Sequence, residues 1–286
     1  ILTNKKIEKL VCLSTSQTQK EFNYKAQTPT TYFLIQNTNI NTNNDTNNDT
    51  NNDTNINTNI NIYDKITNEF INYKLNYNNP IPTNGINIIN KIIPFTNKYG
   101  SLKVIKTSTC LKNTKINNKK THDYNYTNIK TCLLEKDVLT NTITKPKLVI
   151  NYSNIEQQYA NEPKLIMAHK MYGFPFYDIS GSYGISARDN YLILEKYYNK
   201  NDLLQIQAFL STKTALFIFS TTNYRMRYLE RYAFEFIPNI ILIPNFPNLV
   251  TCKKMERDKL IYDFLNFSND ERNYIEKYSK NYIFFI

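Results

Sequence analysis

The stretch Pro163-Lys-Leu-Ile-Met-Ala-His-Lys-Met-Tyr-Gly-Phe-Pro-Phe-Tyr-Asp-Ile-Ser-Gly-Ser-Tyr-Gly-Ile-Ser-Ala-Arg-Asp-Asn-Tyr191 stands out from a chain dominated by Asn, Ile, Lys and Thr. It holds three of the five glycines (Gly173, Gly181, Gly184), one of the two histidines (His169) and the first arginine (Arg188). Glycine is favoured where the backbone needs positive φ or a close approach, so this density predicts structural turns at Gly173, Gly181 and Gly184. Leu165 to Ala168 and Tyr191 to Leu194 read as the strands flanking them.

C-terminal to this stretch the text stays dense. Asp202 is a candidate N-cap for a helix over Leu203 to Thr212, with Leu203, Ile206, Gln207 and Leu210 on one stripe. Ala215 to Ser220 continues the apolar run. Asn223 to Tyr232 mixes cations and rings at helical spacing, with Arg225, Arg227 and Arg231 beside Tyr224, Tyr228 and Tyr232. Residues 251 to 285 read as a charged helix or helix pair whose apolar end packs on the domain.

N-terminal to it the signal thins. Ile7 to Leu13 and Thr30 to Gln36 read as strands, β-branched and aromatic. Residues 37 to 61, with Asn-Asn-Asp-Thr three times from Asn43 to Thr54, are too polar to pack and read as a disordered insertion. The spacing of Ile66, Phe70, Ile71 and Leu75 suggests a short helix. Ile86 to Ile93 is another helix or a strand, and Leu102 to Ile105 alternates like a strand. A lysine-rich polar segment follows to about residue 145, with strands at most over Thr131 to Leu134 and Leu148 to Asn151. The fold class is therefore mixed α/β, organised as 1–36, 37–61, 62–150 and 151–286.

A chain of 286 residues, 41% hydrophobic, can bury a real core. No stretch approaches the roughly 18 to 20 apolar residues of a membrane helix, and the start lacks a signal-peptide core, which reads as soluble and intracellular. The four cysteines (Cys12, Cys110, Cys132, Cys252) are widely separated, suggesting neither a zinc site nor a disulfide framework. The first methionine is Met167, so the chain is expected to be the C-terminal part of a longer protein. Net charge is +11, and residues 91 to 147 hold twelve lysines against three acids (Asp123, Glu135, Asp137). Such a segment attracts polyanions, nucleic acid above all. AT-rich coding, which raises lysine and asparagine everywhere, is the alternative source of this charge.

The order of parts resembles the C-terminal target-recognition region of type II restriction-modification adenine-specific DNA methyltransferases. The residues that carry the likeness are Pro163 to Met167, Gly173-Phe-Pro-Phe-Tyr-Asp178, Asp189 to Ile193, Leu203 to Phe219 with Phe209-Leu-Ser-Thr-Lys213, Tyr224 to Arg231, and the Ile-Pro pairs Ile237-Pro238 and Ile243-Pro244. Lys9 to Leu13, Phe22 to Ala26 and Thr28 to Ile35 are similar to the last strands of such an enzyme's catalytic sheet. The same segments resemble methyltransferase-like proteins of large DNA viruses.

The resemblance implies the end of a methyltransferase-like sheet followed by a recognition domain, with double-stranded DNA as partner. It implies S-adenosylmethionine as cofactor of the full-length protein. The catalytic Asn/Asp-Pro-Pro-Tyr tetrapeptide and the glycine-rich cofactor loop are absent here, so neither catalytic nor cofactor-binding residues are expected on this chain, and no metal. The DNA-binding set it implies is Lys170, Arg188, Asn190, Tyr224, Arg225, Arg227 and Arg231. Recognition of a flipped or neighbouring base asks for such cations, amides and rings. Beside this stand structural readings: snorkelling arginines on a half-solvated helix, Asp189 capping a turn or pairing with Arg188, His169 as a satisfied structural group, and Tyr172, Phe174, Phe176 and Tyr177 as core. Two other function classes remain: a non-catalytic interaction or structural protein such as a virion component, and a specificity subunit beside a separate catalytic chain.

Overall fold

Pairing of short apolar strands in two separate compact units organises the computed structural model, one unit within residues 1–90 and the other within 91–286. The structure describes residues 6–13, 15–26, 28–36, 59–76, 79–136, 143–169, 173–188, 190–223 and 229–278. The chain is mixed α/β, with several small sheets and short helices.

In the first unit β1 (Lys6–Leu13), β2 (Thr30–Gln36), β3 (Asn59–Asp64) and β4 (Glu69–Lys74) form one sheet in the order β2-β1-β3-β4. Helix α1 (Thr15–Glu21) links β1 to β2, which pair antiparallel, while β1 and β3 run parallel. Residues 59 to 61, placed in the disordered tract by composition, begin β3; the rest of that tract, 37–58, lies outside the described residues.

The helix expected around Ile66 to Leu75 is instead the second half of a β-hairpin. Its spacing imitates a helical stripe, yet burial follows period 2, with Ile60, Ile62 and Tyr73 sealed. Asp64 fixes the turn by accepting the Ile66 amide (2.9 Å), and its other oxygen accepts the Ile86 amide (2.8 Å) at the start of α2 (Ile86–Tyr99). A carboxylate at that place satisfies an orphan donor of the helix.

The second unit carries two sheets. β9 (Lys164–Ala168) and β12 (Asn190–Leu194) lie side by side antiparallel, flanked by β10 (Phe176–Asp178) and β5 (Ile105–Lys106). Every residue of β9 and β12 is buried, all apolar except Lys164 and Asn190, which open the two strands and find internal partners. The other sheet is built on the long hairpin β7 (Tyr126–Lys136) and β8 (Ile143–Ser153), with β6 (Ile116–Asn117) beside β8 and β11 (Gly184–Ile185) parallel to β7. The expected boundary at 150/151 thus falls inside β8, because this hairpin shares its core with the strands that follow. Leu102 remains outside a strand, its amide taken by the Ile237 carbonyl (2.8 Å).

Ile166, Ala168, Leu192 and Leu194 pack with Ile129 and Cys132 of the hairpin, Phe174, Ile185 and Leu216. Burial pushes the Cys132 thiol up to about 12. On the alternate face Tyr191 meets Phe234 (ring centroids 5.1 Å), which in turn meets Phe219 (5.1 Å). Burying each such side chain contributes about 1.5–3 kcal/mol.

Helices α3 (Lys200–Leu210) and α4 (Lys213–Thr221) cover this core. The cap of α3 is Asn199, three residues before the expected Asp202. The two form a capping box, Asn199 accepting the Asp202 amide (3.0 Å) and Asp202 accepting the Asn199 amide (3.1 Å). Thr212 caps α4, and Asp258 of α5 (Arg257–Phe264) accepts the Lys213 and Thr214 amides at 3.1 and 2.9 Å. The C-terminal helix pair is α5 with α6 (Asn269–Tyr278). No single helix among the described residues is long and apolar enough to cross a membrane.

Candidate nucleic-acid interface

The turn around Gly181 is held from inside by an ion pair. Lys164 and Asp178 are 0% and 2% exposed, with Nζ 2.8 Å from Oδ2. The ammonium also donates to the carbonyls of Tyr159 (2.8 Å) and Glu162 (2.9 Å), so its three protons each have an acceptor. Asp178 in turn accepts the amides of Ser182 (3.0 Å) and Tyr183 (3.2 Å), which closes the turn around Gly181. Desolvation pulls the Lys164 pKa down, opposed by Asp178 and Glu162.

Each glycine is drawn against the chain's own atoms. Gly173 has φ +81°, and a Cβ there would sit 2.5 Å from the Leu210 carbonyl oxygen. Gly181 has φ +66°, and its Cβ would stand 2.8 Å from the Asn161 carbonyl carbon. At Gly184 the obstacle is the Asn128 Oδ1, at 2.5 Å. These turns therefore close internal packing, and the space beside each is filled by protein.

Of the expected DNA-binding set, Lys170, Tyr224, Arg225 and Arg227 lie outside the described residues. Arg188 and Arg231 are exposed. Arg231 opens a 3-10 helix over Arg231–Phe236, which buries Ala233, Phe234 and Phe236; of the helical spacing read over 223 to 232, residues 224–228 lie outside the described residues. Asn190 is a correction. It is 1% exposed, and its Nδ2 donates to the carbonyls of Lys130 (3.3 Å) and Ala187 (3.2 Å), so the amide fastens β12 to its neighbours and is withdrawn from any base edge. Phe174 is likewise sealed in the core, at 1% exposure.

Exposed cations are carried instead by the segment that runs from Leu111 through β6 into β7. The segment from Leu111 passes through β6 beside β8 and then turns into β7 on the other side of β8. Lys112, Lys115, Lys119, Lys120 and, within β7, Lys130 are all exposed. Among the described residues none of these five has a carboxylate within 4.0 Å, and Asp123 is the lone acid between positions 111 and 130. Three other lysines of the basic segment are paired with carboxylates, Lys91 2.6 Å from Glu271, Lys106 3.7 Å from Glu230 and Lys147 3.2 Å from Glu135, while Lys98 and Lys103 lie 5.2 and 3.9 Å from the ring centroids of Tyr99 and Tyr197.

The backbone carrying these free cations is pinned. Gln157 is 4% exposed and grips the start of the segment at two points, its Oε1 accepting the Leu111 amide (3.1 Å) and its Nε2 donating to Thr114 Oγ1 (3.0 Å). Asn154 Oδ1 accepts the Lys115 amide (2.7 Å), Asn117 Oδ1 accepts the Lys119 amide (3.1 Å), and Thr121 and Tyr124 exchange backbone hydrogen bonds at 3.2 Å. Leu111, Ile116 and Tyr126 are 38%, 41% and 40% exposed, so apolar faces lie among the ammonium groups. Held backbone, exposed cations and exposed apolar faces suit a sequence-tolerant contact with phosphates and bases.

No group of three His, Cys, Asp or Glu among the described residues could hold a metal ion. The chain matches no protein-family model, no curated protein and no solved structure.

Proposed function

We propose that the chain binds nucleic acid through the lysine-bearing segment that runs from Leu111 through β6 into β7, with duplex DNA as the partner implied by the likeness to adenine-methyltransferase recognition regions. The observation that carries this reading is the group of five exposed lysines, Lys112, Lys115, Lys119, Lys120 and Lys130, on a hydrogen-bonded frame with no carboxylate at ion-pair distance among the described residues. A phosphate that meets such an ammonium displaces water and counterions without first breaking an internal ion pair. On this reading S-adenosylmethionine and methyl transfer belong to a catalytic part with its own tetrapeptide and glycine loop, and the chain contributes binding alone. Base reading, if performed by Arg188 and Arg231, adds to a contact whose main strength is electrostatic.

The test is fluorescence anisotropy of a labelled duplex against the chain over a range of salt. The expected result is a log K that falls linearly with log salt. Replacing Lys112, Lys115, Lys119 and Lys120 with Ala should flatten that slope by up to about 3.6, taking about 0.9 per phosphate contact. Binding indifferent to salt, or a slope unchanged in the variant, overturns the proposal.

A further inference from the structure

A cleft of about 470 Å³ opens within the second unit, between the first turns of α3 and the looped chain from Ile240 to Thr251. Its size falls in the range of about 300–1,000 Å³ that small-molecule sites occupy. The protein fixes the walls itself. Gln205 Nε2 donates to the Pro247 carbonyl (2.7 Å) and its Oε1 accepts the Leu249 amide (2.9 Å), so both ends of one carboxamide tie α3 to the loop. Arg257 Nε donates to the Leu249 carbonyl (2.9 Å), and Asn248 Oδ1 accepts the Val250 and Thr251 amides (3.0 and 3.2 Å). The Phe246 ring meets those of Phe209 and Phe264, with centroids 5.9 and 5.1 Å apart. Walls held in this way are in place before a ligand arrives.

The lining offers two kinds of surface. Leu204, Ile240, Ile243, Phe246 and Val250 make it apolar on one part, and Asn201, Asp202, Asn245, Asn248 and Thr251 supply donors and acceptors on another. Among the described residues the side chains of Asn201, Asn245 and Thr251 have no hydrogen-bond partner. Asn248 has used only its Oδ1, and Asp202 only the oxygen that takes the Asn199 amide. No lysine or arginine lines the cleft, so an anion finds no countercharge there. Asp202 is the lone charged residue of the lining, and it stands in the first turn of α3, where the helix N-terminus offsets a carboxylate.

We propose that this cleft binds a neutral, hydroxyl-rich ring, a simple sugar. Hydroxyls donate and accept at once, which matches carboxamides that do both and a carboxylate oxygen that accepts. The carbon-bound faces of such a ring are apolar and suit the aliphatic part of the lining. A wholly apolar ligand would bury the free amides without partners. The inference stands apart from nucleic-acid binding, which uses the lysines of the 111–130 segment.

Saturation-transfer difference NMR of the full chain with glucose, galactose, mannose and N-acetylglucosamine, each at millimolar concentration, tests it, with circular dichroism as the check on folding. Saturation should reach at least one of these sugars. The variant Asn201→Ala/Asn245→Gly removes both free amides, and glycine keeps the left-handed backbone of Asn245, whose φ is +58°. It should weaken that sugar at least about tenfold and leave DNA affinity unchanged. Leu204→Trp fills the cleft and should abolish the transfer. Transfer to none of the sugars overturns the inference, as does transfer that the amide variant leaves unchanged. Tighter binding of the phosphate ester of glucose than of glucose, weakened equally by the amide variant, would make the cleft an anion site and overturn the neutral assignment.

Discussion

Lys164 and the lysines of the 111–130 segment belong to the same unit and spend the same side chain in opposite ways. Lys164 is sealed, and its charge is answered in full by Asp178 and two carbonyls; the segment lysines keep their tips in water and leave only their backbones committed. A buried cation with every proton bonded is architecture, because moving it breaks the turn that it closes. An exposed cation without a carboxylate partner adds little to the fold and remains available to an outside anion. The contrast explains why net charge is a poor guide to where a polyanion docks: what matters is which charges the fold has already used.

The comparison breaks most readily at Asp178. Replacing it with Ala leaves the Lys164 ammonium buried without its carboxylate and frees the Ser182 and Tyr183 amides. Unfolding in urea should show a loss of about 3–5 kcal/mol, the cost of removing one partner of a buried pair. The double variant Lys164→Met/Asp178→Leu removes both charges and should cost less than Asp178→Ala alone. A double variant less stable than the single one would show that the pair stabilises beyond mutual neutralisation.

A smaller effect separates two glycines with nearly equal backbone angles. Gly173 and Gly100 have φ +81° and +78°, but a Cβ at Gly173 strikes the Leu210 carbonyl oxygen while one at Gly100 meets nothing within 4 Å. Gly100→Ala should cost about 1–2 kcal/mol, the left-handed penalty alone. Gly173→Ala should cost that plus a backbone collision, about 1–3 kcal/mol more by analogy with overpacked cores. Equal losses in thermal unfolding would mean that the α3 terminus gives way freely and that the turn is not tightly packed.

Much of the fold was legible in the sequence where one physical signal dominated. Ile7 to Leu13 and Thr30 to Gln36, with their β-branched and aromatic residues, and the short apolar runs Leu165 to Ala168 and Tyr191 to Leu194 all lie in strands. The signal failed where two periods coincided, as at Ile66 to Leu75, where a hairpin satisfies the spacing of a helix. It failed again at Asp202, since a capping box places side chains at both its ends and sequence alone does not say which residue is the cap. The long hairpin of β7 and β8 was seen only as fragments because its polar and lysine-rich outer positions dilute the alternation. For the candidate site, the basic segment was legible as charge, but its division into paired and unpaired lysines depends on Glu230, distant in sequence, and Glu271, more distant still. Asn190 was misread because an amide fit for adenine is equally fit for two backbone carbonyls, and burial decides between them.

The smallest stability effect is the sharpest test of the comparison. Replacing Lys112, Lys115, Lys119 and Lys120 together with Ala should change the unfolding free energy by no more than about 0.5 kcal/mol for each, because exposed side chains without structural partners contribute little. The hydrogen bonds that fix the segment run through main-chain amides of Leu111, Lys115 and Lys119, and through the Thr114 hydroxyl, all of which survive these substitutions. Four like charges within nine residues of chain repel one another, so their removal relieves repulsion and partly offsets any packing lost from their stems. Urea unfolding of the variant beside the wild type measures this. A loss of several kcal/mol would place these lysines with Lys164, as charges that the fold consumes; an unchanged midpoint leaves them as charges held out to a partner.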